Sequence, residues 1–245
     1  MLEDTRQEAS MGAQSVSTSE VSLTAAGVTL TATLGWPEHC RGVVLFAHGS
    51  GSGRFSPRNR QVAASLQEAG LATLLLDLLT AGEEGSDTLS HRWRFAIPLL
   101  ADRLTGAVDW LGQAGRAAGV APSSLPLGLF GASTGAPAAV ISAAARPAAI
   151  GAIVCRGGRP DLAPAALPRV RCPTLFIVGG ADSEVLALNQ QAASAMTAPH
   201  RLAVVPGASH LFPEAGALEA VCVLARDWFS EHLRRPADRP ASPMS

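Results

Sequence analysis

Short apolar runs alternate with longer segments of mixed character along most of this chain. Six runs rich in aliphatic residues have the length and composition of buried strands, over residues 42–46, 71–76, 126–130, 150–155, 174–178 and 201–205. Segments with helical character separate most of them, and we predict helices over about 56–69, 93–115, 135–145, 184–196 and 216–232. This alternation predicts an α/β fold, in which a mostly parallel sheet carries helices on both faces.

The regions outside this alternation set the expected domain limits. Residues 28–34 alternate apolar side chains with Thr, which is typical of an outer strand. Residues 1–18 are polar and residues 234–245 hold three prolines, so we predict mobile tails around one domain over 19–233. If translation begins at Met11, part of the first tail is an artefact. The polar segment 81–90 is predicted to be a loop, too short to form a cap domain.

Chemically suggestive residues follow several of the predicted strands, where α/β sheets carry their active sites. The first group is Gly131-Ala132-Ser133-Thr134-Gly135, which fits the pattern G-x-S-x-G between a strand and a helix. That context is the one required by a nucleophile elbow, in which a sharp turn exposes the serine hydroxyl. The alternative is an ordinary turn in which Ser133 and Thr134 cap the next helix.

Two further residues follow later strands. Asp182 comes shortly after the run 174–178, and His210 comes after the run 201–205. Alone, Asp182 could be a helix N-cap and His210 an ordinary loop residue. The order Ser133, Asp182, His210 is nevertheless that of a catalytic triad in α/β hydrolases, where imidazole accepts the serine proton and a carboxylate orients the imidazole.

A glycine-rich loop, residues 48–53 (HGSGSG), follows the strand at 42–46. Its small residues allow backbone amides to face a developing oxyanion, and we predict the N–H groups of Ser50 and Thr134 as the oxyanion hole. His48 is interpreted as structural, with its ring fixing the loop. It is a poor candidate metal ligand, because no second ligand lies at metal spacing.

The same loop permits a dinucleotide-binding interpretation. Residues 51–56 resemble a degraded G-x-G-x-x-G, and Asp77 ends the next strand, about where a ribose-binding carboxylate would lie. Ser replaces the third glycine, however, and the strand at 28–34 precedes the loop. This alternative also leaves Ser133, Asp182 and His210 without a role.

Composition narrows the function classes. The chain has 245 residues, of which 47% are hydrophobic and 16% charged, so it can build a large core. Nineteen basic residues, all of them Arg, face twenty acidic ones, which disfavours nucleic-acid or membrane partners. The absence of Lys and Tyr excludes Schiff-base lysine chemistry and a tyrosine general acid. With no apparent signal peptide or membrane-length apolar run, we expect a cytoplasmic protein.

The four cysteines, at positions 40, 155, 172 and 222, fit no metal or redox motif, and buried thiols are expected.

Two interpretations, one functional and one structural, are open for several other residues. Arg54 and Trp93 are candidate residues of the substrate pocket. Arg54 could instead belong to the solvated face of a helix, and Trp93 could instead pack in the core. In the segment 156–161 (RGGRPD), an Arg–Asp pair is expected to hold the loop, with substrate carboxylate binding as the alternative.

Six segments together resemble the dienelactone-hydrolase-related group of α/β hydrolases: VVLFAHGSGSGRFSPRNR, LATLLLDLLT, GLFGASTGAPAA, RGGRPDL, PTLFIVGGAD and PGASHLF. They span roughly residues 42–212. The resemblance implies an eight-stranded or slightly trimmed sheet and a Ser-His-Asp triad that needs no cofactor. It also implies hydrolysis of carboxylic esters through an acyl-enzyme. Some relatives are fused to a phosphoribosyltransferase-like domain, and we expect none here.

One departure from the group changes the expected chemistry. Dienelactone hydrolases proper use a cysteine nucleophile, whereas this elbow holds Ser133. We therefore expect a serine esterase that hydrolyses small-molecule esters with short-chain or small aromatic acyl groups. A thioesterase or amidase on the same triad, and a non-catalytic binding protein on a hydrolase scaffold, remain the alternatives. The sequence leaves the oligomeric state open.

Overall fold

The computed structural model describes residues 15–112 and 125–234. Their strands are β1 (Val16–Ala25), β2 (Val28–Pro37), β3 (Gly42–Ala47), β4 (Leu71–Leu76), β5 (Leu127–Ala132), β6 (Ile150–Arg156), β7 (Thr174–Gly179) and β8 (His200–Val205). They form one sheet in the order β1-β2-β4-β3-β5-β6-β7-β8. Strand β2 is antiparallel to β1 and to β4, whereas β3 to β8 run parallel. This is the α/β-hydrolase fold, and the predicted mostly parallel sheet is confirmed.

Helices cover both faces of the sheet. In the described residues they are α1 (Pro57–Glu68), α2 (Ala81–Ser90), α3 (Ile97–Gly112), α4 (Gly135–Ala145), α5 (Ser183–Ser194) and α6 (Ala217–His232). One apolar layer joins the sheet to α1 and α6, and the other joins it to α3, α4 and α5. Helix α1 starts as predicted, because Ser56 accepts a hydrogen bond from the Asn59 N–H and Pro57 occupies the first helical turn.

The two layers follow from the alternation of side chains along each strand. In β5, Leu129 belongs to the layer under α3, α4 and α5, whereas Phe130 belongs to the layer under α1 and α6. Phe130 packs there against Phe46 of β3, with ring centroids 4.8 Å apart. Because both faces of β5 are buried, the strand is fixed firmly at the centre of the sheet.

The first strand corrects the predicted N-terminal tail. Strand β1 begins at Val16, so residues 16–18 belong to the sheet rather than to a tail, and β1 rather than 28–34 is the outermost strand. The outward side chains of β1 are mostly Ser, Thr and Glu, so the segment lacks the apolar pattern from which a strand is predicted. The rest of the predicted tail, apart from Ser15, lies outside the described residues, as do 235–245 and the last three residues of the helix predicted over 93–115.

The predicted loop at 81–90 is wrong, since this segment is helix α2. Thr80 caps it through a capping box with Glu83, each side chain bonding the other residue's backbone. The Glu83 carboxylate also binds the buried guanidinium of Arg103 in α3, at 2.6 and 2.7 Å. No part of the described chain forms a separate cap domain over the strand ends.

The described residues contain neither a disulfide bond nor a helix suited to span a membrane. None of the four cysteines forms a disulfide. Cys155, Cys172 and Cys222 are buried as expected, whereas Cys40 is only partly buried. Burial raises the pKa of the Cys172 thiol to about 12. In residues 15–112 and 125–234, every helix is too short or too polar to cross a bilayer.

Candidate active site

Ser133 occupies a strained turn between β5 and α4. Its φ of 50° lies in the left-handed region, which non-glycine residues rarely adopt. A Cβ on Gly135 would lie 2.1 Å from the Ala47 carbonyl oxygen, so only glycine allows α4 to approach β3 this closely. The Ser133 N–H donates to the Arg156 carbonyl at 3.1 Å, which anchors the turn to β6. The structure therefore has the strand–turn–helix arrangement predicted for the G-x-S-x-G segment.

Asp182 and His210 lie on two loops that are joined by backbone hydrogen bonds. The Gly180 N–H donates to the Val205 carbonyl at 2.8 Å, and the Ala181 N–H donates to the Ala208 carbonyl at 2.9 Å. Asp182 precedes α5, yet its side chain makes no capping bond to that helix. Its Oδ2 instead lies 2.7 Å from Nδ1 of His210.

The imidazole of His210 connects Asp182 to Ser133. Its Nε2 lies 3.5 Å from the Ser133 Oγ, a long contact of the kind that tightens when a substrate binds. The His210 side chain is 39% exposed and that of Asp182 16% exposed, so the imidazole is open to solvent while the carboxylate is shielded. The structure thus brings together the three residues that the sequence singled out, at the carboxyl ends of β5, β7 and β8.

The glycine-rich loop after β3 packs directly against Ser133. A Cβ on Gly49 would lie 2.9 Å from the Ser133 Cβ, so glycine is required for this contact. Ser50 and Thr134 line a common cavity beside the serine. Among the described residues, neither of their backbone N–H groups has a hydrogen-bond partner. Neither N–H group is therefore committed to another part of the described chain.

His48 holds this loop against the end of β4. Its Nε2 accepts a hydrogen bond from the Leu78 N–H at 2.9 Å, and its Nδ1 donates to the Gly49 carbonyl at 2.9 Å. Only the neutral ring can accept at Nε2 while donating at Nδ1. Burial lowers the pKa of His48, which favours that neutral form. The ring has the structural role expected from the sequence.

The cavity beside Ser133 has a volume of about 280 Å³, and its wall combines charged and hydroxyl side chains with glycines and two leucines. Its lining comprises the residues His48, Gly49, Ser50, Gly51, Ser52, Asp77, Leu79, Glu84, Asp87, Leu100 and Thr134, together with one arginine, Arg94. Arg94 is fixed by the buried carboxylate of Asp87. Sequence reasoning did not select Arg94, because a sequence does not tell which neighbour of Trp93 points inward.

The two predicted pocket residues lie elsewhere. Trp93 is absent from the cavity wall among the described residues, and its indole N–H donates to the Ser86 Oγ at 3.2 Å. Arg54 is likewise absent from the wall, because its guanidinium pairs with Asp77 at 3.0 Å and with Glu20 at 2.7 Å. The Asp77 carboxylate also accepts the Arg54 backbone N–H, so it braces the loop and does not support the ribose-binding interpretation.

The segment after β6 contains the expected Arg–Asp pair. Arg159 donates to both carboxylate oxygens of Asp161, at 2.9 and 2.8 Å. Arg156 instead turns into the protein toward Asn59 of α1, with 3.2 Å between Nη2 and Oδ1. Within residues 15–112 and 125–234, no three His, Cys, Asp or Glu side chains are grouped in a way that could hold a metal ion.

Comparison with curated proteins finds relatives that share about half of their aligned residues with this chain. Over 217 residues it is 51% identical to a protein named "Putative phosphoribosyl transferase" from Mycobacterium tuberculosis, covering 89% of this chain and 47% of that protein. The chain therefore spans about half the length of these curated relatives.

Solved structures of similar fold include a dienelactone hydrolase and an esterase. A dienelactone hydrolase from Anabaena variabilis is 52% identical, with a TM-score of 0.85 over 89% of this chain and 99% of that one. Carboxyl esterase 2 from Tuber melanosporum, at 18% identity, shares the fold with a TM-score of 0.68 over 91% of this chain and 90% of that one. The model of the dienelactone hydrolase family matches residues 29–227. The chain therefore belongs to the dienelactone hydrolase family, a family of hydrolases.

Proposed function

We propose that this hydrolase is a serine carboxylesterase whose catalytic triad is Ser133, His210 and Asp182. The observation that carries the proposal is the path of contacts from the Ser133 Oγ through both ring nitrogens of His210 to the Asp182 carboxylate. A serine hydroxyl is a weak nucleophile and needs a base within hydrogen-bond reach, which His210 supplies. The strained turn at Ser133 is further support, since strain of this kind is typical of a nucleophile elbow.

In this mechanism the Ser133 Oγ attacks the ester carbonyl while Nε2 of His210 accepts the hydroxyl proton. The Asp182 carboxylate accepts the hydrogen bond from Nδ1–H, which fixes the tautomer of the ring and stabilises the imidazolium. The backbone N–H groups of Ser50 and Thr134 donate to the oxyanion of the tetrahedral intermediate. Such donors act strongly because they are in place before charge develops.

Collapse of the intermediate breaks the ester C–O bond, and His210 returns its proton to the leaving alcohol. Water then enters, His210 removes one of its protons, and hydroxide attacks the acyl-enzyme carbonyl. The second tetrahedral intermediate then breaks its bond to the Ser133 Oγ and releases the acid, while the His210 imidazolium returns its proton to Oγ and restores the hydroxyl. No cofactor takes part in these steps.

Two observations support a small ester as the substrate. The cavity of about 280 Å³ is at the lower end of the range for ligand sites, which suits short-chain or small aromatic acyl groups. The Anabaena relative, 52% identical, is named a dienelactone hydrolase, and a lactone is a cyclic ester. The transferase named for the mycobacterial relatives is not part of the proposal, because this chain spans only half of their length.

The test is hydrolysis of p-nitrophenyl esters with acyl chains of two to twelve carbons by wild type and Ser133→Ala. Loss of the nucleophile is expected to lower kcat by several orders of magnitude. Ser194→Ala is a matched control, because Ser194 is exposed on α5 and its hydroxyl donates to the Gln191 carbonyl of the same helix. We expect the wild type to prefer short acyl chains and the control to match it.

The outcomes separate the alternatives. Full activity in a folded Ser133→Ala protein would exclude Ser133 as the nucleophile. Activity on matched thioesters or amides that exceeds activity on esters would favour a thioesterase or amidase on the same residues. A fluorophosphonate probe that fails to label Ser133 would favour a binding protein on a hydrolase scaffold.

A further inference from the structure

The arginine on the wall of the cavity beside Ser133 has one nitrogen that bonds no described residue. Nε of Arg94 donates to Oδ2 of Asp87, and Nη2 donates to the Asp87 carbonyl at 3.0 Å. Nη1 has no hydrogen-bond partner among the described residues, and it is not a buried atom, so it is accessible. A Cβ on Gly51 would lie 3.5 Å from Nη1, which places this nitrogen against the glycine-rich loop, next to Ser50.

A buried carboxylate fixes the position of this guanidinium. Asp87 is 1% exposed, and its Oδ1 accepts the Trp93 N–H at 2.6 Å and the backbone N–H of Arg94 at 3.4 Å. The Arg94 side chain is itself only 21% exposed. A donor that is already held in place loses little conformational freedom when it bonds a ligand. Arg94 is therefore preorganised to donate from Nη1 to an oxygen atom in the cavity.

The charges on the cavity wall disfavour an anion as the acceptor. The positive charge of Arg94 is balanced by its ion pair with Asp87. The wall also carries the carboxylates of Asp77 and Glu84. Asp77 is paired with Arg54, whereas Glu84 forms no ion pair among the described residues. The wall thus holds three carboxylates and one guanidinium, so an anionic group would be repelled there.

We propose that Arg94 sets the substrate class of the esterase, by selecting esters whose acyl chain carries an uncharged oxygen, such as an ether, keto or hydroxyl group. The inference rests on the proposed function, since it concerns the cavity beside Ser133. Nη1–H donates to the uncharged oxygen, and Leu79 and Leu100 are the apolar residues of the wall available to the carbon chain. A chain without that oxygen leaves the donor unpaired when water is displaced, which lowers its kcat/KM.

The test compares kcat/KM for three methyl esters of similar size, measured by acid release at constant pH. Methyl 3-methoxypropanoate carries an ether oxygen, methyl pentanoate has CH2 in its place, and monomethyl succinate carries a carboxylate. We expect wild type to act least on monomethyl succinate. The ratio of kcat/KM for the ether ester to that for the pentanoate should fall about tenfold or more in Arg94→Met. Comparing this ratio between enzymes cancels the intrinsic reactivity of each ester.

Arg146→Met is the matched control, because Arg146 also pairs with an aspartate, Asp109, but is absent from the described cavity wall. Its ratio should equal that of wild type. The double variant Asp87→Asn, Arg94→Met removes the buried charge that Arg94→Met alone leaves without its partner, and its ratio should fall as far. If Arg94→Met fails to fold, the double variant decides.

Two results would overturn the proposal while leaving the proposed function intact. One is an unchanged ratio in the folded Arg94 variants. The other is a wild type that prefers monomethyl succinate to the ether ester, which would make Arg94 a carboxylate-binding residue. A wild type that hydrolyses none of the three esters would overturn both proposals, and this result is distinct from a changed preference among them.

Discussion

The carboxylate of Asp182 bonds His210 rather than the backbone of the helix that follows it. It sits at the start of α5, where an aspartate commonly caps the helix, yet it makes no such bond. Its Oδ2 instead lies 2.7 Å from Nδ1 of His210. At this scale the proposed chemistry depends on charge and tautomer, because an amide of the same shape could present an N–H where His210 needs an acceptor.

We expect Asp182→Asn to lower kcat for a short ester by about 10³–10⁴-fold, with little change in stability. The physical reason is loss of the correct histidine tautomer and of the charge that stabilises the imidazolium. Steady-state kinetics on p-nitrophenyl acetate measure the effect. Asp161→Asn serves as the control, since the Asp161 carboxylate forms its ion pair with Arg159 rather than with His210. Equal losses in both variants would contradict a specific role for Asp182.

His48 gives a prediction about pH. Burial lowers its pKa, so at pH values just below 6.5 the unfolded chain binds a proton that the folded protein does not. Stability should therefore fall as the pH drops through this range. Urea unfolding at pH 7 and pH 5.5 should show a smaller pH-dependent loss in His48→Gln than in wild type. An identical loss in the two proteins would show that His48 does not titrate on unfolding.

Among the secondary-structure elements, α2 depends most visibly on a contact made at a distance in sequence. Its capping box is local, but the Glu83 carboxylate also reaches Arg103 in α3. The hydrogen bond from the Arg103 guanidinium holds the pKa of Glu83 at about 2, with the Thr80 N–H and hydroxyl contributing. One carboxylate thus joins the start of α2 to the helix packed behind it.

Glu83→Gln should destabilise the protein at neutral pH and change its response to acid. In wild type the stabilisation from ionised Glu83 is fully present above pH 4.5 and is lost as the pH falls toward 2. The difference in unfolding free energy between wild type and Glu83→Gln should therefore shrink across that range. Urea unfolding at several pH values tests this. Glu84→Gln is a control at the next position, where the described residues offer no ion pair.

The same element shows why part of the structure could not be predicted from sequence. Strand β4 (71–76) and helix α4 (135–145) have the predicted limits, because their apolar patterns are decided locally. Helix α2 has no such pattern and depends on Arg103, twenty residues beyond Glu83. Strand β1 was missed because most of its outward side chains are polar.

The candidate site likewise has a part that could be predicted from sequence and a part that could not. The elbow, the two later loops and the glycine-rich loop carry short motifs, so Ser133, Asp182, His210 and Ser50 could be selected from sequence. The part of the cavity wall that follows α2 has no motif, because side-chain direction there decides whether Trp93 or Arg94 points inward. Arg156 could be interpreted as a candidate ion-pair residue, but its burial and its hydrogen bond to Asn59 depend on a residue 97 positions away in the sequence.

On the scale of the whole molecule, the sheet separates two apolar layers that stabilise the site from both sides. The layer under α1 and α6 contains Phe46 and Phe130 in direct contact, both nearly completely buried. Phe130 is three residues before Ser133 along β5. The strand that leads into the elbow is therefore anchored in a fully buried part of the core.

Phe130→Ala should lower the free energy of unfolding by about 3–5 kcal/mol, through lost burial and the cavity that remains. Urea or thermal unfolding measures this change. Phe95→Ala is the matched control, because Phe95 is 56% exposed, and it should stay within about 0.5 kcal/mol of wild type. A similar loss in both variants would indicate a general effect of removing aromatic side chains.

Strand β8 is at the edge of the sheet and pairs only with β7 among the described strands. The loop that carries His210 begins where this strand ends. Edge elements open more readily than central ones, and they can open while the rest of the molecule stays folded. If His210 is the base, a brief detachment of β8 separates it from Ser133 without disturbing β3, β5 or the glycine-rich loop. Fluctuation at one border of the sheet then determines how long the enzyme remains competent, so a ligand or crosslink that holds β8 down would preserve activity under mild denaturing conditions.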